Sequence, residues 1–225
     1  ALCTQNLATE LSPTIDDGSE YFHTQLYTGN RSSTQTITND ANAGDFQPDW
    51  VWIKQRNDTV AHSHNLIDSS RGATKHLYSN TTDSEGTISG GLTSFNTDGF
   101  SIGNNPAVNQ PDRDVNYVAW QWKANGGTTS NTNGSITSTV SANTTAGFSI
   151  VTYTGTGSVA TIGHGLGKVP AMMIVKKRSG TDDWAVYHDG VLTPSNARYH
   201  YMQLNTTNAY AGDGTYWNDT APTTS

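Results

Sequence analysis

The sequence predicts an all-β fold built from two tandem jelly-roll-like β-sandwich units. Composition is the first reason: 14% of the 225 residues are charged and 33% are apolar, while Thr, Ser, Asn and Gly dominate the polar residues. Thr and aromatic residues between Gly and Asn are typical of short strands joined by turns. The second reason is an internal duplication, which indicates two copies of one structural unit.

The duplication centres on a short apolar segment that occurs once in each half of the chain. The first copy is FQPDWVWIKQR, residues 46–56, and the second is LGKVPAMMIVKKR, residues 166–178. In each copy a proline precedes four apolar residues, Trp50–Ile53 or Met172–Val175, and cationic residues follow. A run that is apolar on both faces and too short for a typical helix predicts a buried strand. We expect these strands to occupy matching central positions in the two units.

Three further matches keep the same order along the chain, which is hard to obtain by chance. They pair residues 22–30 with 148–156, 66–68 with 186–188, and 80–82 with 205–207. The predicted organisation is an N-terminal arm (1–20), a first sandwich unit (21–123), a linker rich in Gly, Ser, Thr and Asn (124–146), and a second unit (147–225). The linker has room for one strand of its own.

Individual patterns predict several elements of the first unit. Residues 31–37 are mostly polar and end in an apolar residue, which is consistent with an exposed edge strand. Asp98 and Gly99 suit a hairpin turn that needs a positive φ. Residues 117–123 alternate like a strand that closes the unit. We expect four strand tryptophans in the core: Trp50, Trp52, Trp120 and Trp122.

The second unit is predicted to be incomplete at its C-terminal side. A counterpart of residues 95–122 would follow Ser225. A sandwich that lacks those strands exposes a sheet edge and a core face. We expect a truncated unit, and the alternative is that another subunit supplies the missing strands.

Charge and apolar pattern exclude several classes of protein. The formal net charge of −7 argues against nonspecific binding to nucleic acid or to anionic membranes, which requires a basic surface. No apolar run approaches 18 residues and no signal-peptide pattern opens the chain, so we expect neither membrane insertion nor export. The single cysteine, Cys3, is expected to be a free thiol in the arm.

The sequence gives no support for a catalytic, metal or cofactor site. None of the seven histidines has zinc-ligand spacing, and neither Asp182-Asp183 nor residues 112–114 have the register of a calcium loop. The glycine-rich segment 163–167 precedes a strand, whereas a dinucleotide-binding loop precedes a helix. Ser69 lies near His64 and Asp68 in sequence, but within so few residues a catalytic triad has poor geometry.

We predict a structural role for Asp68 and Arg71. At a corner that follows a strand, the carboxylate would satisfy a buried guanidinium. We therefore expect no enzyme activity, no bound metal and no cofactor.

The motifs resemble a repeat family of bacteriophage virion proteins, which are common in marine phages and usually called structural or tail-fibre-like proteins. The resemblance rests on LYTGN, PDWVWIK, IDSSRG, SNTT, FNTDGFSIG and YVAWQWK, followed by VTYTGTG, ATIGHGLG, VPAMMIVKKR, WAVYH and YWNDTAP. It covers nearly the whole chain from about Phe22. It implies a lectin-like β-sandwich displayed on a virion, and it transfers no catalytic residues.

The resulting functional hypothesis is a non-enzymatic protein of the virion surface, either a fibre-like appendage or a capsid decoration. We expect its partners to be other virion proteins, further copies of itself in a homo-oligomer, and a host surface glycan. Loop residues that could bind the glycan are His62, His64, Asp83, Asn104, Asn109, Trp184 and Tyr210. The alternative is a polysaccharide depolymerase module of a phage tail, which requires two convergent carboxylates in a cleft.

Overall fold

The structure is a computed structural model that describes residues 15–40, 44–191 and 197–225. Within these residues the chain is all-β, as predicted, and its strands are antiparallel in every sheet. The first nine strands are β1 (Phe22–Thr28), β2 (Gln35–Ile37), β3 (Trp50–Gln55), β4 (Asn65–Asp68), β5 (Lys75–Tyr78), β6 (Gly86–Thr87), β7 (Leu92–Phe95), β8 (Phe100–Ile102) and β9 (Asn116–Trp122). The remaining strands are β10 (Thr129–Asn131), β11 (Ser138–Asn143), β12 (Phe148–Thr152), β13 (Met172–Val175), β14 (Ala185–His188), β15 (His200–Gln203) and β16 (Ala211–Gly212).

The first half of the chain, β1 to β9, forms two sheets that pack face to face. The larger sheet has the order β1-β9-β3-β4-β5-β6, and the smaller has the order β2-β8-β7. Their facing side chains form one buried core: Ile37, Val51, Ile53, Ile67, Leu92, Phe100, Ile102, Val108, Val115, Tyr117 and Ala119. Two sheets that share a core in this way make a β-sandwich.

The predicted edge strand and hairpin of the first half are both present. β2 lies at the edge of the smaller sheet, and β7 and β8 form an antiparallel hairpin. Gly99 sits in the hairpin turn with a φ of 85°, and a Cβ there would lie 2.0 Å from the Ile37 carbonyl oxygen. Glycine is therefore required at this turn by both its dihedral angle and its close contact with the neighbouring strand.

The position of strand β3 in the structure explains why its sequence is apolar on both faces. Val51 and Ile53 are fully buried in the sandwich core, while Trp50 and Trp52 point to the opposite face of the same sheet and are half-buried. Trp120 and Trp122 are likewise half-buried beside them. The tryptophans thus lie outside the sandwich core in which the sequence placed them, because successive strand residues point to opposite faces.

The second half contains two smaller sheets. One has the order β10-β11-β12 and the other β13-β14-β15-β16. Residues 124–146, interpreted as a linker with room for one strand, contain both β10 and β11. β10 pairs with β11, and β11 pairs with β12. Their Ser, Thr and Asn content gave a weak strand signal because β-propensity depends strongly on neighbouring strands.

The two halves repeat the same strand ladder. In the first half Trp50, Val51, Trp52 and Ile53 pair with Asp68, Ile67, Leu66 and Asn65. In the second half Met172, Met173, Ile174 and Val175 pair with His188, Tyr187, Val186 and Ala185. The order β3-β4-β5-β6 therefore corresponds to β13-β14-β15-β16, and the apolar segments found in the sequence start both ladders.

The neighbours of the two starting strands differ. β3 is central because β9 pairs with its other side, whereas β13 is the edge strand of its sheet. The expectation of matching central positions is therefore correct for β3 and wrong for β13. Within the described residues, no strand corresponding to β9 lies beside β13.

The second half covers the tryptophan face of the six-stranded sheet. Trp184, which is 5% exposed, packs with Leu66 and Leu77 of the first half, and Ile174 and Leu204 join the same cluster beside Trp50 and Trp52. The indole Nε1 of Trp184 also donates a hydrogen bond to the Tyr78 carbonyl oxygen at 2.8 Å. Side chains of both halves thus share a second core.

The structure describes only the end of the predicted N-terminal arm. Residues 18–20 form a 3-10 turn, which is capped by the Asp17 carboxylate accepting from the Ser19 backbone N–H. Residues 1–14, and with them Cys3, lie outside the described residues.

We predict that Trp184→Ala lowers the free energy of unfolding by about 3–5 kcal/mol, because it removes a large buried side chain and its hydrogen bond. Urea denaturation measures the change. Tyr210→Ala is the matched control: Tyr210 is 47% exposed, so we expect a loss of about 1 kcal/mol or less. Equal losses for the two variants would contradict a shared core around Trp184.

Candidate functional site

The candidate site is a groove where the two halves meet. Both copies of the duplicated Asn-Thr-Thr motif reach this region, one after β5 and the other after β15. The groove has a volume of about 580 Å³ and is lined by Asn80, Leu204, Asn205, Thr206, Thr207 and Asn208. Its polar lining consists of amides and hydroxyls, which both donate and accept hydrogen bonds.

The first asparagine of each motif has the same structural role. Asn80 Oδ1 accepts the His64 backbone N–H at 3.0 Å, and Asn205 Oδ1 accepts the Trp184 backbone N–H at 2.9 Å. Each bond fixes the backbone just before the second strand of its ladder, β4 or β14. The repeated asparagines therefore hold the walls of the groove, and Thr207 and Asn208 add exposed polar groups beside them.

A charged bridge closes one side of the junction. Glu85 accepts from Arg178 at 2.8 and 3.1 Å and from Arg71 at 3.3 Å, so its carboxylate joins the two halves. Burial raises the pKa of Glu85, but hydrogen bonds and attraction from the two guanidinium groups outweigh it and the net pKa is lowered. Backbone bonds from Glu85 to Arg178 and from Asp182 to Thr82 run beside the bridge.

One of the two histidines predicted for ligand binding, His64, lies at the first wall of the groove, where Asn80 accepts its backbone N–H. His64 Nδ1 accepts from the Trp52 indole N–H at 2.8 Å, which leaves the proton of the neutral ring on Nε2. Burial, and then the nearby Lys54 charge, lowers the pKa of His64, so the ring is neutral at pH 7. Lys54 in turn donates to the His62 carbonyl oxygen at 3.0 Å.

Two of the predicted ligand residues are buried structural groups. Asn109 is fully buried, and its amide donates to Asn30, Ser32 and Gly103. Trp184 lies in the shared core. Burial leaves neither side chain a free face for a glycan, so these two assignments are corrected.

The other three predicted loop residues, Asp83, Asn104 and Tyr210, are exposed. Asp83 accepts from Thr81 at the first wall of the junction, Asn104 lies beside Gly90, and Tyr210 packs against the His200 ring. The structure brings His64 and Asp83 to the junction, whereas Asn104 contacts Gly90 and Tyr210 contacts His200.

The residues with triad chemistry are used in structural bonds. Ser69 donates its hydroxyl proton to Asp49 at 2.7 Å rather than to a histidine. Asp68 accepts the Arg71 backbone N–H at 2.8 Å and also the Arg71 side-chain Nε, and Arg71 reaches the Leu66 carbonyl oxygen at 3.0 Å. Both side chains of the Asp68–Arg71 pair are less than 10% exposed, and they form a buried corner.

A second, smaller cavity of about 350 Å³ lies where the first half passes into the second. Its deepest group is Asp49, which is fully buried. The carboxylate accepts from the backbone N–H groups of Ala124 and Gly126 at 2.8 and 3.0 Å, besides the Ser69 hydroxyl. Because both of its carboxylate oxygens accept hydrogen bonds, Asp49 holds the segment that follows β9 beside the start of β3.

Sequence reasoning predicted none of the six groove residues as ligand contacts, and it missed the bridging role of Glu85. The duplicated Asn-Thr-Thr motif was a usable signal for the groove, since both copies reach it. Nothing in the sequence marked Glu85, because its partners Arg71 and Arg178 come from different halves.

Metal and membrane criteria give two further observations. In residues 15–40, 44–191 and 197–225, no three His, Cys, Asp or Glu side chains gather in a way that could hold a metal ion. In the same residues, no helix has the length and apolar character needed to cross a bilayer.

The charged bridge predicts a pH-dependent stability. The folded-state pKa of Glu85 lies below its ordinary value of 4.5, so its contribution is present above pH 4.5 and is lost as the pH falls through the folded-state value. Arg178→Gln should lower the free energy of unfolding by roughly 1 kcal/mol at pH 7 and by less at pH 3. Urea denaturation at both pH values measures this.

Lys177→Gln is the matched control, since it removes a neighbouring exposed positive charge that makes no bond to Glu85. We expect it to leave the stability at both pH values nearly unchanged. A pH-independent loss in Arg178→Gln would exclude Glu85 as the cause.

Comparison with known proteins identifies one match. The family described as "Domain of unknown function (DUF7483)" matches residues 17–225. Neither the curated proteins nor the solved structures contain a match to the chain.

Proposed function

We propose that this chain, which belongs to the DUF7483 family, is a non-enzymatic surface protein of a bacteriophage virion that binds a neutral host glycan in the groove between its halves. The phage part of the proposal is supported by the motif resemblance described above. A fibre-like appendage and a capsid decoration are both compatible with it.

The observation that carries the binding part is the chemistry of the groove. Its lining combines the amide and hydroxyl groups of Asn80, Thr206, Thr207 and Asn208 with the apolar Leu204, and it includes no charged side chain. Sugars present many hydroxyl groups and small apolar faces, which amides, hydroxyls and aliphatic carbons complement. A neutral polar ligand therefore fits this lining better than an anion or a cation.

Homo-oligomerisation forms part of the proposal. Large apolar side chains away from β13 are exposed in the second half, including Val159, Tyr210 and Tyr216, which are 40–75% exposed. Exposed apolar surface of this kind favours contact with another polypeptide. Symmetric copies would also multiply weak glycan contacts on a cell surface.

The alternative, a polysaccharide depolymerase, needs an acid and a base or nucleophile that converge on one glycosidic bond. The groove lining contributes no carboxylate. Asp183, close to it, accepts from Gln203 and Asn205 at 2.6 and 2.7 Å, which supports a structural role for this carboxylate.

We predict saturable binding of the chain to at least one bacterial surface polysaccharide, without cleavage. The double variant Thr207→Val, Asn208→Ala should bind at least about fivefold more weakly, because each lost hydrogen bond contributes about 1 kcal/mol. Biolayer interferometry on an immobilised polysaccharide panel measures binding, and a reducing-end assay measures cleavage.

Asn133→Ala is the matched control, since Asn133 is exposed and lies outside the groove. It should bind like the unchanged chain. Equal binding by both variants would exclude the groove as the site, and release of reducing ends would favour the depolymerase.

A further inference from the structure

The outer edge of β13 differs from its counterpart in the first half. β3 pairs with β4 on one side and with β9 on the other, through six residue pairs from Trp50–Trp122 to Gln55–Tyr117. β13 pairs with β14 on one side. Among the described residues, no strand pairs with its other side.

The direction of the backbone groups identifies which residues face this edge. Ala171 accepts the Asp189 backbone N–H at 2.9 Å, so the backbone groups of Ala171 point towards β14. Successive strand residues point their backbone groups to alternate edges. The N–H and C=O groups of Met172 and Ile174 therefore face the outer edge, as those of Trp50 and Trp52 face β9.

The side chains around this edge are unusually apolar for an exposed surface. Met172 is 50% exposed, and Val169, just before it, is 56% exposed. Both residues lie at the start of β13, where Met172 has its counterpart in Trp50 of β3. They therefore leave exposed apolar surface beside the edge at which a β9-like strand would pair.

From these observations we propose that the outer edge of β13 is a docking site for an extended polypeptide segment of the β9 type. The segment would run antiparallel to β13 and alternate large aromatic residues with small or amide residues. The aromatic residues would lie beside Met172 and Ile174, as Trp122 and Trp120 lie beside Trp50 and Trp52. The occupant is a segment other than β9 itself, which is held between β1 and β3.

Backbone pairing would supply the affinity and the alternating side chains the selectivity, which is how sheets recognise an added strand. An exposed sheet edge with apolar side chains readily pairs with another chain when nothing blocks it. The proposal rests on the strand register and on the exposed apolar side chains of Val169 and Met172, so it does not depend on the glycan-binding function.

The test uses an acetylated peptide with the sequence of residues 116–123, NYVAWQWK, added to the chain. We expect saturable binding by isothermal titration calorimetry and slower amide hydrogen exchange in the segment that contains β13. A peptide of the same composition with its alternation scrambled should bind at least about tenfold more weakly, since half of its side chains would meet the wrong face.

Two variants of Met172 separate backbone pairing from side-chain contact. Met172→Ala keeps the edge N–H and should bind the peptide within about threefold of the unchanged chain, whereas Met172→Pro lacks that N–H and should bind about tenfold more weakly. Proline is tolerated on an edge strand whose N–H makes no ladder bond, so both variants should fold. Circular dichroism checks this.

Three results would overturn the proposal. The first is no saturable peptide binding to the folded chain, and the second is equal binding by the two Met172 variants. The third is a dimer of the unchanged chain, seen by sedimentation velocity and lost in Met172→Pro alone, because a second copy would then occupy the edge. If the unchanged chain binds the peptide but none of the polysaccharides, the proposed function is contradicted and the docking site is supported.

Discussion

The architecture depends on one constraint: the six-stranded sheet must be covered on both faces. β3 sets this requirement, because it presents Val51 and Ile53 to one side and Trp50 and Trp52 to the other. A strand that is apolar on both faces is stable only between two other layers. The sheet β2-β8-β7 covers the first face, and Trp184 with its neighbours helps to cover the second. The two halves therefore depend on each other for burial, although each carries its own copy of the ladder.

The sequence predicted the strands well where the pattern was local. Alternation in residues 117–123 and the duplicated apolar segments are properties of a few neighbouring residues, and they gave β9, β3 and β13. The layer that each strand faces is not a local property. Trp184 follows Asp182 and Asp183, which suggests an exposed loop, but its partner Tyr78 lies 106 residues earlier. For the same reason the groove could be suspected from the Asn-Thr-Thr copies but not located.

The duplication also shows which residues serve the fold and which are free to differ. Asn80 and Asn205 are the same in both copies because each caps the same backbone position. The residues they cap, His64 and Trp184, have diverged: one is half-buried near the groove and the other fills the shared core. A motif repeated for structural reasons is thus a poor guide to a ligand. Recognition is better sought in the neighbouring residues where the two copies differ, such as Asp83 and Asn208.

The same comparison shows a difference at the start of the two ladders. In the first half Asp49 ties the chain leaving β9 to the start of β3 through Ala124 and Gly126. The second half has Ala171 at the corresponding position, where the backbone bond to the next strand is kept but no carboxylate is present. A buried carboxylate without its hydrogen-bond donors would be strongly destabilising. Alanine at this position carries no such cost, so the start of β13 does not require the hydrogen-bond donors that Asp49 takes from the chain leaving β9.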